Sequence, residues 1–337
     1  MVFALTDDQR EFGTAVTTYL AERFDLEAVR GVVEDPAGDG NPAALWKAAA
    51  EQGWLAVTVP EEHDGLGLGL IEAQVIARSL GAGVAPGPWR GTVLAAEAIR
   101  LAGSPEQQAA WLPKLASGEA VGAFSLRANR TAVEYAAVAD VVVLRDGDGL
   151  VLVERGGFST EPVGSYDGTT RLAAVHAEKG EALPGGAAAL AELTARATVL
   201  VASDLAGVAR EAITRTVAYD REREQFGVPV GSFQAIKHAL ADLHVGVTMA
   251  EHAVLYAAHA VDTGADGADL AVAVAKAKAS DAALAATAAM IQYHGGIGYM
   301  EETWTARVLR DMTLTSIGGG ADEGMLQVLT KLDGLHT

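Results

Sequence analysis

Between Tyr219 and Gln234 the chain reads YDREREQFGVPVGSFQ, a short stretch that offers three kinds of recognition chemistry. Arg223 supplies a planar guanidinium fork that can grip two phosphate oxygens, Gln225 an amide that both donates and accepts, and Phe226 an aromatic face, with a second amide at Gln234. Such a set suits an anionic, partly aromatic ligand, for instance a nucleotide diphosphate. The same residues also fit a polar corner between helices that binds nothing. A second stretch, Gln292 to Met300 (QYHGGIGYM), places an amide at Gln292 just before the pair Gly295 and Gly296, whose bare backbone lets a ligand come close.

The elements that must carry these residues are long helices. The first stretch reads as the end of one helix, a turn containing Gly227 and Pro229, and the start of another. Alanine-rich helices are expected over about 186–221, 232–262 and 266–292, and Ile236, Leu240, Leu243 and Val247 form a helical stripe in the second. Gly264 and Gly267 mark its far corner, a shorter helix is expected over Thr303–Arg310, and a last one from about Asp322. Long antiparallel helices with short loops imply a bundle whose outer stripes serve as an oligomer interface.

Upstream, residues 1–118 read as helical. Thr6 before Asp7, Asp8 and Gln9 is a helix start, after which Phe12, Val16 and Leu20 share a face. Further helices are expected over Pro42–Gln52, Ile71–Leu80 and Thr92–Leu101, and one opening at Ser104-Pro105-Glu106. From Ala120 the period shortens. Val121–Leu126, Ala137–Leu144, Leu150–Val153 and Arg171–Val175 are short Val- and Leu-rich runs between Asp-Gly and Gly-Gly turns, the marks of a small β domain. The fold class is therefore α+β, mainly α: an N-terminal helical domain (1–118), a small middle β domain (119–185) and a C-terminal four-helix bundle (186–337).

Composition narrows the function. The chain has 337 residues, half of them hydrophobic, enough for a large core. Its formal charge of −19 argues against nucleic acid as a partner, because phosphate backbones need a basic face. With no cysteine there is no disulfide, thiolate nucleophile or zinc-thiolate site, and a cytoplasmic location is the simplest expectation. The N-terminus turns acidic too early for a signal peptide, and the uncharged run Ala282–Met300, broken by Gln292, His294 and glycines, reads as a buried helix rather than a membrane span.

The two chemical stretches together resemble the acyl-CoA dehydrogenase family, which shows R-x-x-F-G, then F-Q, then Q-x-x-G-G-x-G. Here these are Arg223-Glu224-Gln225-Phe226-Gly227, Phe233-Gln234 and Gln292-Tyr293-His294-Gly295-Gly296-Ile297-Gly298. Gly53-Trp54 through Pro60-Glu61-Glu62-His63-Asp64-Gly65-Leu66-Gly67 is similar to the family stretch near the acyl pocket, with Asp64 where a glycine is common. Ser104 to Glu119 resembles the next family segment. The resemblance implies FAD as cofactor, with Arg223 on its pyrophosphate, Phe226 and Gln225 on the ring or ribityl side, and Gln234, Gln292, Gly295 and Gly296 along the adenine half.

The departures are as informative as the matches. The family's T-E-P-x-x-G-S-D segment, which cradles the flavin ring, is replaced by Ser125-Leu126-Arg127-Ala128-Asn129-Arg130, where only Ser125 fits. The family reaction is α,β-desaturation of an acyl-CoA thioester, in which a carboxylate takes the α-proton while a hydride passes to the flavin. The usual glutamate position, in the segment after Arg310-Asp311, is Gly319, and the alternative position on the first bundle helix is Ala197. Asp322 and Glu323 are displaced candidates for the base, and Asp204 and Glu211 weaker ones, so the catalytic base stays unassigned.

In the family the flavin lies across a subunit interface, and this chain keeps what is given to a neighbour while losing what it would use itself. It resembles the short, non-catalytic subunit of the heterotetrameric acyl-CoA dehydrogenases that actinobacteria use on steroid CoA thioesters. On that reading it completes the FAD site of a homologous full-length partner, with an acyl-CoA substrate and an electron-transfer flavoprotein as acceptor, and no nucleic acid or membrane. The alternatives are a homo-oligomeric dehydrogenase with a relocated carboxylate, a flavin monooxygenase of the same fold, and a non-enzymatic acyl-CoA-binding or scaffolding subunit.

Overall fold

Thr6 opens the first helix by a reciprocal cap: its hydroxyl accepts from the Gln9 amide while the Gln9 side chain accepts from the Thr6 amide. The helix, α1, runs Asp7–Arg23 and buries Gly13, Val16 and Leu20 on one face. The protein was analysed as a computed structural model that describes residues 4–177 and 179–300. Two compact units emerge, one from Glu27–Ala73 and Pro86–Ala197, the other from Met1–Leu26, Gln74–Ala85 and Thr198–Thr337.

The first unit holds α2 (Leu26–Glu34), α3 (Ala43–Glu51), a 3-10 turn at Glu61–His63, α5 (Trp89–Ala102) and α6 (Pro105–Ala116), with α4 (Leu70–Gly83) beginning in it. A second reciprocal cap, Ser104 with Gln107, starts α6, and Pro105 fills its first position, where no amide hydrogen is required. Seven strands follow: β1 (Gly122–Ser125), β2 (Val133–Glu134), β3 (Val141–Asp146), β4 (Gly149–Glu154), β5 (Phe158–Val163), β6 (Leu172–Ala177) and β7 (Glu181–Ala182). They form a four-stranded sheet, β1-β3-β4-β7, in which β1 and β3 are parallel, and a three-stranded antiparallel sheet, β2-β6-β5.

Strand β3 reads VVVL without alternation because both its faces are covered. Val141 and Val143 join α5 and α6 in one apolar cluster, whereas Val142 and Leu144 join Ala173 and Val175 of the second sheet in another. Thr92 locks α5 onto β1, donating to Gly122 O and accepting from Gly122 N, both at 3.1 Å. Glu97 is buried on α5 and held by Arg100 at 2.9 Å and Arg196 at 3.1 Å. Removing one partner of such a buried set costs about 3–5 kcal/mol.

The second unit is helical. It takes α1, most of α4, and three long helices: α7 (Gly186–Glu222, of which 198–222 belong here), α8 (Gln234–Asp262) and α9 (Ala268–His294). By length and composition α7 is apolar enough to cross a membrane, but most of its most apolar window is buried inside the protein, as in a core helix. Glycines let the helices close up: a Cβ on Gly207 would lie 1.9 Å from Arg78 O of α4, and one on Gly13 of α1 would lie 2.7 Å from Val75 Cγ1. Arg210 of α7 reaches α8 through Glu251 and Thr248. Lys276, on α9, has no exposed surface at all, and its Nζ donates to Ser280 Oγ at 3.0 Å. The expected helices at Thr303–Arg310 and from Asp322 lie outside the described residues.

Candidate functional site

The corner after α7 is more ordered than a plain turn. Arg223 N donates back to Tyr219 O, and the chain then forms a miniature hairpin, β8 (Glu224–Gln225) and β9 (Val228–Pro229), closed by Val230 N donating to Arg223 O at 2.7 Å. The two residues at its tip, Phe226 and Gly227, have φ of +55 and +77. A two-residue hairpin whose twist matches its strands needs positive φ at both places. Glycine meets that without cost, but a phenylalanine there is strained by about 1–2 kcal/mol. Its ring is 94% exposed and meets Phe233 edge-on, 6.3 Å between centroids.

A 3-10 turn, Val230–Ser232, leads from the hairpin into α8, which begins at Gln234 without a side-chain cap. The turn lies directly on the last part of α7: a Cβ on Gly231 would come 2.9 Å from Asp220 O and 3.4 Å from Asp220 Cβ. Asp220 itself is 1% exposed, and among the described residues neither carboxylate oxygen has a hydrogen-bond partner. Burial pushes its carboxyl up to about 6.

The second stretch caps α9. Gly295 takes φ +62 and starts a 3-10 turn that runs to Tyr299, and a Cβ at Gly295 or Gly296 would meet nothing within 4 Å. One contact brings the two stretches together. The rings of Tyr219 and His294 stack at 4.4 Å with an interplanar angle of 17°, and Tyr219 Oη donates to His294 O at 3.4 Å. His294 Nδ1 sits 2.7 Å from Met290 O, and burial holds the imidazole below its ordinary pKa, which favours the neutral form of the stacked ring. The end of α7, which carries Arg223, is thereby pinned to the end of α9, which carries the glycine pair.

Every residue expected to hold the cofactor is exposed in this chain: Arg223, Gln225, Phe226, Gln234, Gln292, Gly295 and Gly296. Gln225 Nε2 donates only as far as the Glu224 carbonyl, at 2.8 Å. An exposed guanidinium and a bare glycine backbone fit the diphosphate and adenine side of a dinucleotide. The ring side does not fit in the same way. Ser125 is buried and its hydroxyl accepts from Arg127 N at 3.2 Å, within the loop itself. A Thr-Glu-Pro triplet does occur at Thr160–Pro162, but in the middle of β5, paired with Ala173, Ala174 and Val175, and not in the loop after β1.

The catalytic positions are equally uneven. Ala197, on α7, is half-buried and brings no carboxylate. Glu211 pairs with Arg215 at 2.7 Å, and Asp204 packs where a Cβ on Gly81 would meet its backbone oxygen at 2.2 Å. Gly319, Asp322 and Glu323 lie outside the described residues. Sequence reasoning missed Asp220 and the Tyr219–His294 stack. Helical period held the signal for the first: Leu205, Ala209, Ile213, Thr216 and Asp220 follow one another at spacings of three or four along the buried side of α7.

Two family models match the chain: acyl-CoA dehydrogenase, N-terminal domain, over residues 6–119, and acyl-CoA dehydrogenase, C-terminal domain, over 185–332. The chain belongs to the acyl-CoA dehydrogenase family, oxidoreductases whose cofactor is FAD. It is 35% identical to acyl-CoA dehydrogenase IpdE2 of Mycobacterium tuberculosis over 303 residues, covering 88% of this chain and 87% of the relative. Among solved structures it resembles the ChsE4-ChsE5 complex of Mycobacterium tuberculosis (TM-score 0.88, 25% identity, all of both chains). It also resembles a variant of the Tcur3481-Tcur3483 steroid ACAD (TM-score 0.87, 26% identity, 98% of this chain and 99% of that one).

Proposed function

We propose that this chain is the short, non-catalytic subunit of a heteromeric acyl-CoA dehydrogenase and completes the FAD site of a homologous full-length partner. The observation that carries this reading is a contrast: seven residues suited to a neighbour's flavin stand exposed at the ends of α7, α8 and α9, whereas the ring cradle at 125–130 is replaced and Ala197 brings no carboxylate.

In the assembly Arg223 would grip the pyrophosphate, Phe226 and Gln225 would lie along the ring or ribityl side, and Gln234, Gln292, Gly295 and Gly296 would line the adenine half. FAD held there would supply the hydride acceptor for α,β-desaturation, and a carboxylate of the partner would take the α-proton. The resemblance to a two-protein complex and to a steroid ACAD supports a heterotetramer acting on a steroid-derived acyl-CoA. A cytoplasmic location and an electron-transfer flavoprotein as acceptor belong to the same proposal.

The test is to purify the chain alone and together with its nearest encoded homologue, then measure bound flavin and native mass. A colourless single chain and a yellow pair with about one FAD per heterodimer is the expected result. A yellow, FAD-loaded homo-oligomer of this chain alone would overturn the reading and turn attention to Asp322, Glu323 and Asp204 as proton acceptor.

A further inference from the structure

We propose that Asp220 is a positioning residue for the flavin-facing corner: buried beneath the 230–232 turn, its carboxyl group holds Arg223 and Phe226 in place only while it is uncharged. The role in flavin binding rests on the reading above, whereas the hold on the corner stands on Asp220's own surroundings.

Those surroundings are dry and one-sided. The side chain is 1% exposed, so water cannot solvate it, and among the described residues both oxygens lack a donor. The turn that lies on it, Val230–Ser232, contains no titratable group and comes so close that only glycine fits at 231. The titratable neighbours on its own helix are Tyr219, Arg221, Glu222 and Arg223, and from α9 His294 reaches the site by stacking on Tyr219. An ionised carboxylate in that place has no compensating partner, so the charged form favours any arrangement that lets water in. The arrangement that does so lifts the 230–232 turn, and with it the hairpin that Val230 N fastens to Arg223 O.

The direction with pH follows. The carboxyl is raised from 3.8 to about 6 by desolvation, so the closed corner is favoured by the bound proton and loses that advantage as pH rises through about 6. His294, lowered from 6.5, acts in the opposite sense: its stack weakens as pH falls. Asp220→Asn keeps the shape and removes the first effect while leaving the second.

The experiment compares wild type, D220N and D220A between pH 5.5 and 7.5 in two readouts. One is FAD dissociation from the assembled protein, followed by flavin fluorescence. The other is amide hydrogen exchange of residues 223–233 in the full chain, corrected for intrinsic rates. Wild type should hold FAD about fourfold more weakly at pH 7.5 than at 5.5, with parallel loss of protection at 223–233. D220N should lack that loss and keep only the opposite trend set by His294, and D220A should be loose at both values.

Superimposable pH profiles of wild type and D220N in hydrogen exchange would overturn the proposal. If instead exchange separates the two proteins as expected while Arg223→Ala leaves FAD in place, Asp220's hold on the corner stands and the flavin reading falls.

Discussion

A phenylalanine held at φ +55 with 94% of its surface in water buries little for folding beyond its edge contact with Phe233, and it stands three residues from an arginine that is also exposed. Strain combined with exposure marks residues shaped for a ligand rather than for the core. Arg223 is the cleaner of the two to test, since its side chain is exposed and makes no hydrogen bond or ion pair among the described residues. A guanidinium fork on a diphosphate contributes roughly 2–3 kcal/mol, so Arg223→Ala should weaken flavin binding by the assembled enzyme about 30- to 150-fold while leaving the melting temperature of the free chain within a degree or so. A flavin titration of the apo-assembly reads this directly. Unchanged affinity would remove Arg223 from the site.

At the scale of elements, the crossing of α4 and α7 makes the sharpest demand. With a Cβ only 1.9 Å from Arg78 O, Gly207→Ala must push the helices apart, and a loss of several kcal/mol in chemical unfolding is expected. Gly246, inside α8, faces open space, so Gly246→Ala should stabilise the free chain by about 0.5–1 kcal/mol through helix propensity alone. Equal effects of the two substitutions would mean that the crossing is not as close as described. The same elements show what the sequence could and could not say. Long helices were legible because their period persists over many turns, and both reciprocal caps, at Thr6 and Ser104, stood in the expected places.

The expectation of four strands missed β2, β5 and β7. Two of these are only two residues long, and β5, FSTEPV, is a largely exposed edge strand without a clear alternation. Helix α2 was missed because its nine residues, LEAVRGVVE, carry a central glycine. The corner residues Arg223 to Phe226 were found as a motif, but the hairpin they form was not. Its positive φ at Phe226 is imposed by the pairing of Glu224–Gln225 with Val228–Pro229 and contradicts the residue's own preference.

For the whole molecule, the telling surface is on α8, where Val245, Met249 and Tyr256 stand at least half exposed along one face. Scattered apolar residues on a surface mean little, but a helical stripe of them marks a contact. Within the proposed assembly, Met249→Lys should leave the thermal unfolding of the isolated chain nearly unchanged and lower the native mass of the co-purified pair to that of separate subunits. Light scattering on the purified pair decides the matter, and an intact complex would assign the stripe to something other than subunit contact. The net charge of −19 keeps such a chain soluble while that face is uncovered.

Deeper in the same unit, Lys276 has no exposed surface, whereas Lys47 at the other end of the sequence stands largely in water. An amine that never meets solvent is silent to acylating reagents as long as the helices around it stay together. Modification at that one position therefore keeps time, recording how often α9 comes free, and a mass spectrum of the labelled peptide reads the clock without any denaturant.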